Sequence, residues 1–319
     1  MRAAVLKELG QPPHFGDFPD PVPTENEVLL TVRAAALKPI DKQLAAGTHF
    51  ASPRELPVVC GSDGVGQLPD GSRVFFGGPR RPYGAFAEST VVRHAQCFAV
   101  PENLDDATAA AIVNPGVSAW LSLSYRAKLA AHETVLVLGA TGTTGKLAVQ
   151  IAKLLGASRV VAAGRNPEAL AALPLLGADA TISLNQSHDS LVAAVRQQNA
   201  EKRFDVIIDY VWGPPTEALL TAIAIHEFAA VSSETRLVQV GESAAPTIHL
   251  PASVLRSTAL TILGSAGIPP MDVLTDALQH VFLHAARNRL RIDTESLPLA
   301  QIASAWPRPT SSPRLVLIP

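Results

Sequence analysis

The segment Gly139-Ala-Thr-Gly142-Thr-Thr-Gly145 carries three glycines at intervals of three. An apolar run, Thr134–Leu138, precedes it, and apolar residues recur behind it at 147, 148, 151, 154 and 155. Glycines in such a turn permit positive φ and let a phosphate approach backbone N–H groups at a helix N-terminus, where the dipole favours anions. The apolar spacing gives Lys146–Leu155 one helical face that packs on a sheet. A strand, turn and helix are therefore expected, with a dinucleotide pyrophosphate held by Gly139, Thr141, Gly142, Thr143, Thr144 and Gly145. The spacing is GxxGxxG and not the more specific GxGxxG, so the flanking strand and helix carry the reading as much as the glycines do.

A second apolar run, Arg159–Ala163, leads into Gly164-Arg165-Asn166, at the distance where the next strand of such a fold ends. A carboxylate near this point would bind the ribose 2′-hydroxyl of NAD. Arg165 stands there instead, and a guanidinium offers a fork of donors to a 2′-phosphate. NADPH is the expected cofactor, with Gly164, Arg165 and Asn166 at its adenosine end.

The elements that must position these groups alternate along the second half of the chain. Strand-like runs fall at Thr134–Leu138, Arg159–Ala163, Ala180–Ser183, Phe204–Tyr210, Arg236–Val240 and Leu260–Leu263, with helical stretches between them. That rhythm predicts βα units and a doubly wound parallel sheet. Ligands of such sheets sit outside the carboxyl ends of the strands. Tyr210, Val211, Val240, Gly241, Glu242, Gly264 and Ser265 are thus further cofactor contacts. The first 100 residues are rich in Pro and Gly, with short β-like runs at Glu27–Arg33, Ser72–Phe76 and Ser89–Val92. Helical stretches follow at Asp105–Val113 and Val117–Leu129, and a last helix, Asp272–Arg287, precedes a short strand, Leu315–Ile318.

With 319 residues, 47% hydrophobic and 17% charged, the chain suits two domains with ample cores. A net charge of −2 gives no reason to expect nucleic acid or an anionic membrane, which require clustered positive charge, so a small-molecule substrate is expected. Cys60 and Cys97 are the only cysteines and form no CxxC pair, which points to neither a disulfide framework nor a cysteine-built metal site. Lys7 and Glu8 interrupt the region where a signal peptide needs its apolar core, and the expected compartment is the cytoplasm. His14, His94, His132, His188, His226 and His249 show no metal-type spacing.

Several segments in order resemble the medium-chain dehydrogenase/reductase family, in its zinc-independent quinone oxidoreductase branch. They are Ala34–Asp41, Cys60–Gly66, Asp70–Phe75, Tyr83–Glu88, Asn114–Trp120 and the glycine turn. The resemblance implies a GroES-like, mainly β domain over residues 1–117 with 268–319, and a Rossmann NADP-binding domain over 118–267. It also implies a nicotinamide lying in the cleft between them, with Ser118 beside it, and a homodimer in which strand Leu260–Leu263 pairs with its copy. The positions matching the Cys, His and Cys ligands of zinc-dependent relatives are Lys38, Ser62 and Asn114, so no metal is expected.

Hydride transfer without zinc requires hydrogen-bond donors, or a proton, aimed at the oxygen that becomes electron-rich. By the same resemblance Lys38 and Asn114 occupy the vacated metal position, while His49 and Tyr83 border the substrate cleft. These four are the candidate catalytic residues. The expected activity is NADPH-dependent reduction of a quinone or an α,β-unsaturated carbonyl. Two alternatives stand beside it: a carbonyl or alcohol oxidoreductase that uses Lys38 in place of zinc, and a non-catalytic NADPH-binding protein.

Overall fold

The computed structural model describes residues 1–224, 234–265, 269–310 and 313–319. They divide into two units, Met1–Asn114 with Phe282–Pro319, and Pro115–Val281. His226 and the division expected at 267/268 lie outside the described residues.

The first unit begins with β1 (Arg2–Leu6), β2 (His14–Asp17), β3 (Glu27–Ala36), α1 (Pro39–Ala46) and β4 (Val58–Val59). β5 (Asp63–Gln67), β6 (Arg73–Gly77), β7 (Ser89–Arg93) and β8 (Cys97–Ala99) follow. β1 pairs antiparallel with β2 and β4. β3 pairs with β5 and β7, and β5, β6 and β8 continue that sheet. Along β3, Leu30, Val32 and Ala34 are buried while Thr31 and Arg33 face water, the period-two signature of a half-buried strand. A register shift between Val32 and Ala34 ends the alternation, and Ala34–Ala36 are all buried. The core gathers Leu6, Leu30, Leu37, Phe76 and Phe86.

Helix α2 (Asp106–Leu121) carries the chain past the 114/115 division. The two helices expected at Asp105–Val113 and Val117–Leu129 are one helix, with Pro115 inside it, followed by a π-helical turn over Ser122–Arg126. A proline within a helix costs about 3 kcal/mol. Burial of Ala109–Val113 on one side and of Val117, Ala119 and Trp120 on the other offsets it. Ser122 and Ser124 donate their hydroxyls to the carbonyls of Ser118 and Trp120, each 2.8 Å away, a back-bonding that loosens the helix where the wide turn begins.

The second unit holds β9 (Thr134–Leu138), α3 (Thr143–Leu154), β10 (Arg159–Gly164), α4 (Pro167–Ala172), β11 (Ala180–Ser183) and α5 (His188–Glu201). Then come β12 (Val206–Asp209), α6 (Gly213–Ile223), β13 (Thr235–Gln239), α7 (Ala252–Ser257) and β14 (Leu260–Gly264). The strands are parallel, in the order β11-β10-β9-β12-β13-β14. β9 and β12 are buried along their whole length, as strands covered by helices on both faces must be. The order reverses between β9 and β12, so the carboxyl ends of those two strands open a crevice in which this architecture binds ligands. This is the doubly wound sheet that the alternating runs predict.

Helix α8 (Met271–Ala286) carries the chain back across the 281/282 division, and β15 (Thr294–Pro298), α9 (Ile302–Ala305) and β16 (Arg314–Ile318) follow. β16 lies antiparallel to β3, Val316 opposite Ala36 and Leu317 opposite Ala35. The last strand therefore completes the sheet of the first unit. Both divisions fall inside long helices, at 114/115 and 281/282.

Candidate functional site

In the second unit the turn after β9 is set by how closely helix and strand cross. A Cβ on Gly145 would lie 2.6 Å from the Cα of Ala140 and closer still to the carbonyl oxygen of Gly139. Only glycine lets α3 leave the strand this tightly. Gly139 takes φ +85°, and its N–H and that of Ala140 both reach the carbonyl of Ala163 on β10, at 2.9 and 2.8 Å. Gly142 donates to Gly139 O at 3.1 Å, which turns the chain into Thr143, the first residue of α3. The helix thus starts three residues before the predicted Lys146. Thr143, Thr144 and Gly145 fall in its first turn, where N–H groups lack intrahelical acceptors. The Thr143 hydroxyl is buried and has no partner among the described residues. A Cβ on Gly164 would meet the side chain of Thr141, so the end of β10 is pressed against the same turn.

The neighbouring strand ends converge on it. The Gly139 Cβ position is 3.0 Å from Val211 Cγ1 and 3.1 Å from the Cβ of Tyr210, and that of Gly241 is 2.8 Å from the Tyr210 carbonyl. Asp209, fully buried at the end of β12, accepts the N–H groups of Val211 and Trp212 at 2.8 and 2.9 Å and the hydroxyl of Thr216 at 2.5 Å. This carboxylate ends the strand before Tyr210, although the apolar run extends it to that residue. It also holds Trp212 at φ +55°, a strained setting for a non-glycine residue. Burial pushes the Asp209 carboxyl up, and the bonds from Thr216, Trp212 and Val211 pull against it. The Tyr210 hydroxyl is buried without a partner among the described residues, and burial pushes its pKa up. Val240 and Gly241 donate to Asp209 O, and Ser265, beyond Gly264, donates to Gln239 O. Glu242 is exposed.

Arg165 is exposed and makes no ion pair or hydrogen bond among the described residues, so its donors are available. Asn166 stands just beyond it, at the start of α4. Its side-chain oxygen accepts Ala169 N–H at 2.9 Å and caps α4, so that oxygen serves the helix. Ser118 lies half-buried on α2, with its carbonyl engaged by Ser122.

In the first unit the structure corrects the role expected of Lys38. Its side chain is 1% exposed, and Nζ donates to Ala36 O at 2.9 Å and Asp63 Oδ1 at 3.0 Å and pairs with Asp41 Oδ2 at 3.2 Å. All three ammonium hydrogens are thereby committed, so Lys38 is no free cation for polarising a carbonyl. Burial pulls its pKa down, but the charges of Asp41 and Asp63 outweigh that and hold it above the ordinary lysine value. Asp63 is pushed up by burial and by Asp41, against the pull of Lys38. Arg314 is also buried and donates to Leu37 O at 3.1 Å. Two cations and two carboxylates thus share one interior region with no net charge.

Asp41 opens α1, accepting the N–H of Lys38 at 2.9 Å three residues before it. Its other oxygen accepts the N–H and hydroxyl of Ser62, at 3.1 and 2.9 Å. Asp41, Cys60, Ser62, Arg81 and Tyr83 line a cavity of about 190 Å³ in this unit. Burial, with Asp41 adding to it, pushes the Cys60 thiol up to about 12, which keeps it protonated. Tyr83 donates to Asp20 O at 3.3 Å and packs edge-on to Phe18. His49 packs at a tilt against Phe50 and accepts Ala51 N–H at Nδ1, outside the lining of this cavity. Asn114 is exposed on α2. The structure thus brings Ser62 and Tyr83 to one cavity with Lys38 behind them. The sequence assigns no role to Asp41 or Asp63; the Lys-Pro-x-Asp helix start is the available signal for Asp41.

A doubly wound sheet with a glycine crossing at its switch point, on a chain that also builds a mainly β unit, defines a dinucleotide-binding protein of the Rossmann type. A family profile described as zinc-binding dehydrogenase matches residues 143–282. A human quinone oxidoreductase is 30% identical over 220 residues, 66% of this chain and 66% of its own length. An Arabidopsis thaliana NADPH-dependent alkenal/one oxidoreductase is 29% identical over 204 residues, 59% of this chain and half of its own length. The Thermus thermophilus quinone oxidoreductase, solved alone and with NADPH, superposes over the whole of both chains at a TM-score of 0.81 and 28% identity. The chain belongs to the medium-chain dehydrogenase/reductase family, in its quinone oxidoreductase-like branch. The positions matching the zinc ligands of relatives do not fit that metal: a lysine already ion-paired, a serine donating to carboxylates, and an exposed asparagine. The glycine turn does fit a dinucleotide.

Two substitutions test this geometry. Gly145→Ala forces α3 off the strand and is expected to lower stability by about 2–3 kcal/mol and to abolish NADPH binding, read by denaturation and by cofactor fluorescence. Lys38→Met leaves the carboxylates unbalanced and is expected to cost about 3–5 kcal/mol in denaturant unfolding. A loss under 1 kcal/mol would mean that the ammonium is not held as described.

Proposed function

We propose that this protein is an NADPH-dependent, zinc-independent oxidoreductase that transfers hydride to a quinone or an α,β-unsaturated carbonyl substrate. The observation that carries this reading is the crossing of Gly139 and Gly145, with an unpaired Arg165 just past the end of the adjacent strand β10. Bound NADPH supplies the hydride. First-turn amides of α3 and the unpartnered Thr143 hydroxyl hold its pyrophosphate, and Arg165 takes the 2′-phosphate as a charge-assisted pair. Tyr210, Val211 and Gly241 bound the dinucleotide from the neighbouring strand ends, and Asp209 holds that turn in place. Val240, Glu242, Gly264 and Ser265 complete the contacts on that side, and Ser118 meets the nicotinamide. The relatives that act on quinones and alkenals support the substrate class.

On this reading residues 118–267 bind cofactor, and 1–117 with 268–319 bind substrate. His49, Tyr83 and Asn114 remain substrate-side contacts, while Lys38 acts from behind the cavity wall. β14 ends the parallel sheet, and its free edge among the described residues supports a homodimer paired there. Two unpaired cysteines support a reducing, cytoplasmic setting. No helix among the described residues is long and apolar enough to cross a membrane.

Absorbance at the reduced nicotinamide band, followed with a panel of quinones, enones and aldehydes, tests the activity. Quinones or enones are expected to drive NADPH oxidation, and silence on all of them would overturn the proposal. Arg165→Ala is expected to weaken NADPH by about ten- to a hundredfold while leaving NADH unchanged. An unchanged ratio of the two affinities would remove Arg165 from the 2′-phosphate.

A further inference from the structure

Ser62 stands where the buried charges of the first unit meet the cavity. Its hydroxyl carries one proton and has two carboxylates within reach, Asp41 Oδ1 at 2.9 Å and Asp63 Oδ2 at 3.3 Å. Asp41 Oδ1 also accepts the Ser62 N–H, which fixes the residue from two sides. Neither carboxylate is free to move: Lys38 binds both, and Arg314 lies buried behind them. With its proton committed inward, Ser62 presents only lone pairs to the cavity.

The other lining groups agree with that polarity. Asp41 is an acceptor, and Tyr83 spends its proton on Asp20 O, leaving an oxygen acceptor. The Cys60 thiol is a weak donor, and Arg81, which donates to Ala51 O, is the one strong donor in the lining. At about 190 Å³ the cavity takes a substituent of a few heavy atoms. A carbonyl oxygen placed against Ser62 would meet lone pairs; a hydroxyl would find an acceptor strengthened by the carboxylate behind it.

We propose that Ser62 is a specificity-determining residue: locked by Asp41 and Asp63 as an acceptor, it selects substrates whose reducible ring or double bond carries a small hydroxyl-bearing substituent. This rests on the quinone and enone reading above and deepens it. Asp41 is a positioning residue that acts through Ser62.

The test compares kcat/KM for three 1,4-benzoquinones of nearly equal size, bearing a hydroxymethyl, an ethyl or a methoxy group. Wild-type protein is expected to favour hydroxymethyl over ethyl. Ser62→Ala should lower that preference about tenfold, the worth of one good hydrogen bond, without moving the methoxy-to-ethyl ratio or NADPH affinity. Ser62→Thr, which keeps the hydroxyl, should retain the preference. Asp41→Asn should reduce it, and adding Asp41→Asn to Ser62→Ala should change it no further, a non-additivity that a merely structural role would not produce. Equal rates on hydroxymethyl and ethyl quinones in the wild type would overturn the proposal without recourse to any variant. So would a fall in the methoxy ratio in Ser62→Ala, which would mark Ser62 as a donor. No turnover of any quinone or enone would instead count against the function itself.

Discussion

Helix α3 leaves strand β9 so closely that no side-chain atom fits between Gly145 and the backbone of Gly139 and Ala140. This constraint fixes where the first helical amides lie, and hence where a negative charge is welcome. The end of β10 leans on Thr141, and the turn after β12 leans on Gly139, so both take their places from the same crossing. The strand order reverses between β9 and β12, and the crossing therefore sits in the crevice that a doubly wound sheet opens to ligands. Asp209 extends the constraint one strand outward, spending a buried carboxylate to hold two backbone amides and Thr216.

The first unit is organised around a different economy, that of charge in a dry interior. Lys38 is 1% exposed, and an isolated ammonium there would be expensive to bury. Asp41 and Asp63 balance it, and Arg314 arrives on the last strand to equalise the count. The consequence reaches the cavity through Ser62, whose hydroxyl points where the carboxylates pull it. What this cavity offers is accordingly a matter of which lone pairs and donors line it.

Much of the second unit was legible because its signals are local. Thr134–Leu138 and Ala180–Ser183 coincide with observed strands, and the glycine turn announces a crossing that only glycine permits. What escaped the sequence was non-local. Asp41 and Asp63 lie 22 residues apart in numbering and meet only because α1 and β5 converge, so nothing in the local pattern marks them as partners of Lys38. Asp209, an acid ending an apolar run, is local by contrast, its carboxylate bonding Val211, Trp212 and Thr216 just downstream. Pro115 reads as a helix break, yet burial on both sides carries the helix through it. Asn166 is local again: the Asn-Pro start of α4 marks a helix cap, and its side-chain oxygen accepts Ala169 N–H.

The claim that joins these parts is that the hydride of an NADPH anchored at the glycine crossing ends on an activated double bond. Reduction of an enone with NADPH deuterated at the transferable C4 position tests it most directly. Mass spectrometry of the saturated product is predicted to find one deuterium on the carbon β to the carbonyl. Enone-driven NADPH oxidation that leaves the product carbon unlabelled would contradict the account.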